Sequence, residues 1–402
     1  MASFSVRFLG CKVSQTDAQA LRERLVRDGH REVDASGEAS GEVAVVNTCC
    51  VTNEGLAKSR QAASQAARTH ARVYVTGCGA RLSETAFAGL PANVTVVTGQ
   101  IEQAVDTVAG DVGAIGCVQA AARLDRVRAF VKIQDGCSFS CAFCVIPLVR
   151  GATRSRSAEA VLGEIRRRVA QGHREIVLTG VNLGCFRDRV AGHTLPSLIR
   201  AAGAIEGVER LRLSSIEVNH VDDELVAALR ETPVVGPHLH VPLQSGDDGV
   251  LRAMSRRYSV ETYLRKLEPL ADFNLTADVI VGFPTEDEPA FEHTLETVRA
   301  ARLTKVHVFP YSPRPGTRTA SEDTVPPEVK KERSARLREL SDAACRARWA
   351  SKVGRGDIVL VDRPGRGYGA DYSPWLVDGP LGELVPVTGR AVTEEGILAD
   401  VA

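Results

Sequence analysis

Three cysteines in the stretch Gln134-Asp135-Gly136-Cys137-Ser138-Phe139-Ser140-Cys141-Ala142-Phe143-Cys144 are spaced C-x3-C-x2-C. Thiolates this close wrap one metal centre, and counting ligands separates the possibilities. A closed structural zinc site takes four protein ligands, and no histidine or fourth cysteine lies close in sequence to complete a tetrahedron. A cubane iron–sulfur cluster held by three thiolates instead keeps one iron open for a small molecule. From the residues alone, three buried or zinc-bound cysteines are the alternative.

The elements that must hold such a loop are readable around it. Phe130-Val131-Lys132-Ile133 is an apolar strand pattern, and Gly136 with two serines supplies a curl. Further strand candidates lie at 176–179, 210–214, 238–243, 277–281 and 305–309, the first being 130–134. Helical stripes separate them, such as Ala158, Val161, Leu162, Ile165 and Val169, which leaves Arg166 to Arg168 mostly outside. A closed eight-unit barrel takes about 250 residues, so six units over this shorter stretch predict a partial barrel with a lateral opening. The cysteine loop follows the first strand, at the carboxyl end where barrel enzymes place their chemistry.

Upstream, residues 3 to 108 alternate strand and helix patterns: Phe4, Val6 and Phe8; Val43 to Val46; Val73 to Val75; and Val94 to Val97. Helices are expected around Leu21 and Leu25, from about 55 to 69, and from 101 to 108. Four such units imply a parallel sheet. Cys11 follows the first strand, Cys49 and Cys50 the second, and Cys78 the third. All then sit on the carboxyl edge, where open α/β sheets bind ligands, although cysteine also packs there simply as a small hydrophobe.

The chain has 402 residues, 44% of them hydrophobic, enough for two or three domains with real cores. Fifty basic residues balance fifty acidic ones, so a polyanion would have to be held by local patches. No run approaches a membrane span and the start shows no export signal. Ten cysteines in a chain expected to be cytoplasmic argue for metal or redox chemistry over disulfides.

The cysteine loop resembles the signature of the radical S-adenosylmethionine (SAM) enzymes. Leu9-Gly10-Cys11-Lys12-Val13, Val46-Asn47-Thr48-Cys49-Cys50-Val51-Thr52 and Thr76-Gly77-Cys78-Gly79-Ala80 resemble the three cysteine motifs of their methylthiotransferase family. The resemblance spans essentially the whole chain. It implies two 4Fe–4S clusters: one on Cys137, Cys141 and Cys144, whose open iron chelates SAM, and an auxiliary one on Cys11, Cys49 and Cys78, with Cys49 preferred to Cys50. Ser14 stands where many members carry asparagine and Arg81 where many carry glutamine, neither a ligand position; Thr285 replaces a usual glycine in the matching word Asp278-Val279-Ile280-Val281-Gly282-Phe283-Pro284. Leu178-Thr179-Gly180-Val181-Asn182, Leu213-Ser214-Ser215-Ile216-Glu217 and Val241-Pro242-Leu243-Gln244-Ser245-Gly246 also match, which implies SAM contacts by Asn182, Glu217 and Gln244. As bare residues these three are equally caps and turns. Phe143 would pack on the adenine or anchor the loop. Arg150, Arg154 and Arg156 are expected at the barrel mouth, meeting substrate phosphate or carboxylate in a bidentate manner. Cys117, Cys185 and Cys345 match no motif and read as structural thiols.

Residues 328 to 349 read as a polar helix carrying Lys330, Lys331, Arg333, Arg336, Arg338, Arg346 and Arg348. Short strand patterns at 357–361, 374–377, 383–387 and 396–398 then predict a small β-barrel. Its Gly367-Tyr368-Gly369-Ala370-Asp371-Tyr372 resembles the aromatic loop of the TRAM domain, an RNA-binding barrel, whose aromatics could stack on bases at roughly 1–3 kcal/mol each. Five basic against eight acidic residues from 350 to 402 assign any phosphate contact to the helix and the barrel mouth instead.

The expected class is α/β: a parallel-sheet domain with the auxiliary cluster (1–115), a partial (β/α)6 radical SAM barrel (125–325), a basic linker helix (326–352) and a TRAM-like RNA-binding β-barrel (353–402). The family chemistry implies a methylthio group placed on carbon 2 of an adenine, where an aryl C–H must be activated by a radical before sulfur can be installed. The words Val131-Lys132-Ile133-Gln134-Asp135-Gly136-Cys137 and His307-Val308-Phe309-Pro310-Tyr311-Ser312-Pro313-Arg314 look most like the branch acting on threonylcarbamoyl-adenosine beside the anticodon, whose carboxylate suits a basic mouth. The implied partners are a tRNA anticodon arm and a protein electron donor such as flavodoxin or ferredoxin. The isopentenyladenosine branch, the ribosomal-protein aspartate branch and a non-catalytic, metal-containing RNA-binding protein are the alternatives.

Overall fold

A computed structural model describes residues 1–33, 41–114 and 127–401; Cys117 and the Arg123-Leu124-Asp125-Arg126 segment lie outside the described residues. At the N-terminus β1 (Ser3–Phe8), β2 (Arg31–Glu32), β3 (Val43–Thr48), β4 (Arg72–Gly77) and β5 (Val94–Val96) form a parallel sheet in the order β2-β1-β3-β4-β5. Every residue of β3 is buried, because helices cover both faces of the sheet. Leu21, Leu25, Ile101 and Ala104 pack on Val43 and Val45 from one side. Ala62 and Ala63 pack on Ala44 and Val46 from the other. The edge strand β2 was not expected: two residues are too few to show a period. The helix expected over 55–69 runs Asn53–Ala66, started by the Thr52 hydroxyl accepting from the Gly55 N–H.

The central strands Ala129–Lys132, Glu175–Thr179, Arg210–Leu213, His238–His240, Asn274–Val281 and Lys305–Pro310 run parallel. They form two three-stranded sheets linked by the parallel bridges Leu211↔Val235 and Ser215↔His240. Six neighbours in sequence order make the expected partial barrel. One core runs through it, including Val131, Ile165, Leu178, Leu211, Leu239, Val279 and Phe291. Arg168 departs from the expected outward face: it is buried and pairs with Glu164 and, across to the N-terminal unit, with Glu23.

The linker helix, Pro327–Ala350, packs on the last central strand. Its basic face is largely occupied. Arg333 pairs with Glu286 and Glu288, Arg336 with Glu288, Glu292 and Glu332, and Lys330 with Asp323. Lys331, Arg338 and Arg346 are the exposed cations of the expected set.

The C-terminal strands Gly356–Arg363, Arg366–Tyr368, Pro374–Leu376, Leu384–Val392 and Ile397–Val401 close into a five-stranded barrel around Val359, Val361, Trp375 and Val387. The expected aromatic loop is partly strand, and it docks against the amino ends of the central strands. Arg210 donates to the Ile358 carbonyl (2.6 Å), Arg212 to those of Gly369 (2.7 Å) and Ala370 (2.9 Å), and Arg128 to the Tyr372 hydroxyl (2.7 Å). Tyr368 and Tyr372 stack on each other at 4.8 Å, with Arg128 over both rings. The loop's backbone carbonyls and rings thus satisfy buried arginines, while Tyr368 and Tyr372 stay half-buried on a cavity wall. No described helix is long and apolar enough to cross a membrane.

Candidate active site

The loop after the first central strand is closed at its neck. Gln134–Asp135 pairs antiparallel with Arg154–Ser155, and the Cys137 N–H donates to the Gly151 carbonyl at 3.0 Å. Gly136 makes this possible: its φ is +70°, and a Cβ there would stand 2.2 Å from the Ala152 carbonyl oxygen. Thus the ribbon brings 136 to 153 back on itself and folds Cys137, Cys141 and Cys144 towards one side. Burial pushes the Cys137 thiol up and the Cys144 thiol up to about 12. A metal centre relieves that penalty, since ligating sulfur gives up its proton to the metal's charge.

The second set comes from strand ends. Cys11 stands just before the helix Lys12–Arg27 after β1, Cys49 follows β3, and Cys78 opens the short helix Cys78–Leu82 after β4. The turn into Cys78 is fixed by Gly77, at φ +93° with no room for a Cβ beside Asn47 Oδ1 (2.0 Å). Cys50 turns away. It is fully buried against Val145 and Val149 and hydrogen-bonds to the Cys78 sulfur. That bond, with Arg150 and Arg81 nearby, holds the Cys78 thiol below its ordinary range. Arg81, the departure from glutamine, ties the rim to the loop by donating to Gln100 (3.0 Å) and to the Val149 carbonyl (2.9 Å).

Both triads line one cavity of about 560 Å³: Cys11, Cys49 and Cys78 together with Cys137, Cys141 and Cys144. Phe143, Asn182, Glu217 and Gln244 line it as well. Gln244 holds a left-handed backbone (φ 65°), rare outside glycine and fixed by bridging to the neighbouring strand at Val279. Two buried oxygens of this lining, Asn182 Oδ1 and Ser214 Oγ, have no hydrogen-bond partner within the protein. Unpaired buried acceptors are costly. Three thiols beside orphaned acceptors and an apolar wall suit a cluster with a zwitterionic, hydroxyl-bearing ligand on it.

The expected arginines separate. Arg150 lines the cavity but is buried and engaged: Nε donates to the Cys78 sulfur (3.1 Å), Nη1 to both Asp135 oxygens (3.0 and 3.2 Å) and Nη2 to Asp17 (2.8 Å). Lys132 completes the network with Asp17 and Asp135. Arg150 therefore joins the N-terminal unit to the barrel, with its guanidinium engaged by groups of the protein itself. Asp135 is held at about 2; burial opposes its charge, but Arg150 and Lys132 outweigh it. Arg154 donates to the Arg150 carbonyl (2.8 Å) and Arg156 to the Lys132 carbonyl (2.7 Å) and Glu164 (2.6 Å); neither lines the cavity.

Arg256 was missed by sequence. It is held by Tyr258 and Glu217 and donates to the Cys141 sulfur at 3.4 Å. Nothing local sets it apart from Arg252 or Arg257; only the fold brings it to the loop. Also unforeseen, His240, Asp278 and His307 gather on the cavity wall with ligand atoms within 4.8 Å of one another. Cys185 and Cys345 stand outside both triads, bonded to His220 and to the Thr304 carbonyl.

Comparison with known proteins agrees with this architecture. Residues 131–298 match the model of the Radical SAM superfamily, and residues 3–99 that of the "Uncharacterized protein family UPF0004". The chain is 36% identical to the threonylcarbamoyladenosine tRNA methylthiotransferase MtaB of Bacillus subtilis, over 85% of this chain and 81% of that protein. It is 33% identical to the MtaB of Thermotoga maritima over 99% and 97% of the two chains. A tRNA-2-methylthio-N(6)-dimethylallyladenosine synthase of Streptomyces griseus is 33% identical over 92% of this chain and 78% of its own. Among solved structures, the radical SAM methyltransferase TsrM of Kitasatospora setae shares the fold, with a TM-score of 0.60 at 14% identity, over 80% of this chain and 75% of that one.

Proposed function

The chain belongs to the radical SAM tRNA methylthiotransferases, and from that membership we propose that it installs a methylthio group on carbon 2 of threonylcarbamoyl-adenosine beside the anticodon. The observation that carries this reading is the single cavity lined by both cysteine triads. Radical generation and sulfur delivery have to act on one bound adenine, so the two centres have to face one space. Cys137, Cys141 and Cys144 would hold a 4Fe–4S cluster with SAM on its open iron; Cys11, Cys49 and Cys78 would hold a second. Bound there, the first would supply reductive radical chemistry and the second would carry the sulfur that is methylated and transferred.

The remaining roles belong to the chain's own groups. Asn182 Oδ1 and Ser214 Oγ would accept from SAM, relieving their unpaired burial. Glu217, fixed by Arg256 and by the Asn219 N–H and amide, would orient SAM through its carboxylate, and Gln244 through its strained turn. Phe143 sits edge-on to Phe283 and would cover the adenine from the loop side. Arg256 and Arg150, each donating to a ligand sulfur, would draw charge from one cluster apiece. The Arg150–Asp17–Asp135–Lys132 network would keep the two triads at fixed separation.

Nucleoside mass spectrometry of tRNA from cells lacking this protein tests the reading. Loss of methylthio-threonylcarbamoyl-adenosine with build-up of its unthiolated precursor is expected, with recovery on re-expression. Loss of the methylthio dimethylallyl nucleoside instead would move the protein to the sister branch, and an unchanged profile would remove tRNA as its substrate.

A further inference from the structure

The cavity that holds both triads adjoins a second one. This second cavity, about 470 Å³, lies between the last three central strands, the linker helix and the C-terminal barrel. The two share three lining residues, Lys12, His240 and His307. Lys12 follows Cys11 directly in sequence, so the shared wall stands beside the rim triad.

Charge on that wall is uneven. His240 is held at both nitrogens, Nδ1 by the Thr276 hydroxyl (2.9 Å) and Nε2 by the Asp278 carboxylate (3.3 Å). Lys12 and His307 are not held. Among the described residues Lys12 has no ion pair or hydrogen bond; its ammonium lies 5.9 Å from the Tyr372 ring centre, a weak substitute for an anion. His307 packs its ring 5.6 Å from that of His240 and has no hydrogen bond among the described residues. A half-buried ammonium beside a free imidazole is an arrangement for an anion. The His240, Asp278 and His307 atoms could also approach a cation, but the Lys12 charge on the same wall opposes one.

We propose that Lys12 and His307 form the subsite for the carboxylate carried by the N6 substituent of the substrate adenosine, with the rest of that substituent turned towards the second cavity. The proposal rests on the threonylcarbamoyl-adenosine reading above and deepens it. The carboxylate pairs with the Lys12 ammonium and accepts from the His307 ring N–H, both charge-assisted contacts. An apolar substituent of the dimethylallyl kind would leave Lys12 dehydrated and unpaired. Discrimination between the two tRNA branches would then come from an unsatisfied cation as much as from a satisfied one. The arginines after the cysteine loop have no part in it, since Arg150 is engaged and Arg154 and Arg156 face elsewhere.

The test is binding, read by fluorescence anisotropy on the iron-loaded protein with SAM. The probes are synthetic anticodon stem-loops whose reactive adenosine carries either the threonylcarbamoyl carboxylate or its neutral carboxamide. The wild-type protein should hold the carboxylate form about tenfold or more tighter, the size of one charge-assisted contact. Lys12→Met should erase that preference, Lys12→Arg should keep most of it, and His307→Ala should reduce it. Because Lys12 neighbours Cys11, iron content is measured alongside; His307 lies on a different element and tests the subsite independently if Lys12→Met loses iron. A preference that survives both Lys12→Met and His307→Ala would overturn the proposal. So would equal weakening of both stem-loops by Lys12→Met, which would make Lys12 a backbone-phosphate contact. Wild-type protein that turns over the carboxylate form yet binds the two forms alike also overturns it, leaving the functional reading intact. Wild-type protein that neither binds nor modifies the carboxylate form would instead overturn the reading and the subsite together.

Discussion

The two cysteine triads reach the same cavity by opposite routes. Cys137, Cys141 and Cys144 lie in one loop pinched by a two-residue ribbon, so their closeness is a local property of spacing and of Gly136. Cys11, Cys49 and Cys78 come from the ends of β1, β3 and β4, and only the parallel order of those strands makes them neighbours. The contrast shows how differently the two sites can fail. A local site depends on its own turn, whereas an assembled one depends on the packing of a whole unit and on its attachment to the barrel.

Substitutions at the triads probe this contrast most strongly. Cys141→Ala should abolish SAM cleavage and leave about four of the about eight irons expected for two clusters. Production of 5′-deoxyadenosine by that variant would refute the loop as the SAM-bearing site. Cys49→Ala should likewise halve the iron but keep SAM cleavage, with methylthio transfer lost. Cys50→Ala should keep all of the iron, because Cys50 is packed away from the cavity; iron loss there alone would reverse the choice between the pair.

The attachment is tested next. Arg150→Met leaves Asp17 and Asp135 buried without their main counter-charge and should destabilise the protein by about 3–5 kcal/mol in denaturant unfolding. Arg154→Met, at an exposed side chain, should cost no more than about 1 kcal/mol. Similar losses for the two would mean the network does not bind the units together.

The smallest effect is expected far from both triads. Asp371 anchors the C-terminal barrel to Arg348 (2.8 Å) and Lys352 (3.1 Å). Burial opposes its charge, but Lys352 and Arg348 outweigh burial and hold its carboxyl below the ordinary 3.8. The unfolded chain therefore takes up a proton first as pH falls, so this stability is present above about pH 4 and is lost below it. Asp371→Asn should flatten the acid limb of the stability profile and leave iron content unchanged. Iron loss in that variant would show that the C-terminal barrel supports the triads after all.

Much of this was legible beforehand because it rests on short-range pattern. The six central strands, the C-terminal barrel and the cysteine loop follow from periodicity and spacing. The rim cysteines were legible at one remove, through their places after strands. The arginines were not: Arg150, Arg154 and Arg156 looked alike in sequence, and charge alone says nothing of which carboxylate each will meet. The same holds for the linker helix, where Glu286, Glu288 and Glu292 neutralise residues that read as a basic face.

The amino-acid order by itself determined which groups could do chemistry and which elements carry them, since thiol spacing, glycine turns and apolar periods act over a few residues. Tertiary structure alone decided which charges are spent inside the protein and which remain free. Arg150 is consumed by Asp17, 133 positions away, while Lys12 and His307 are left facing a shared wall. Electrostatic pairing acts through space between side chains of any separation in sequence, so the partner of a charge is fixed only once the units have packed.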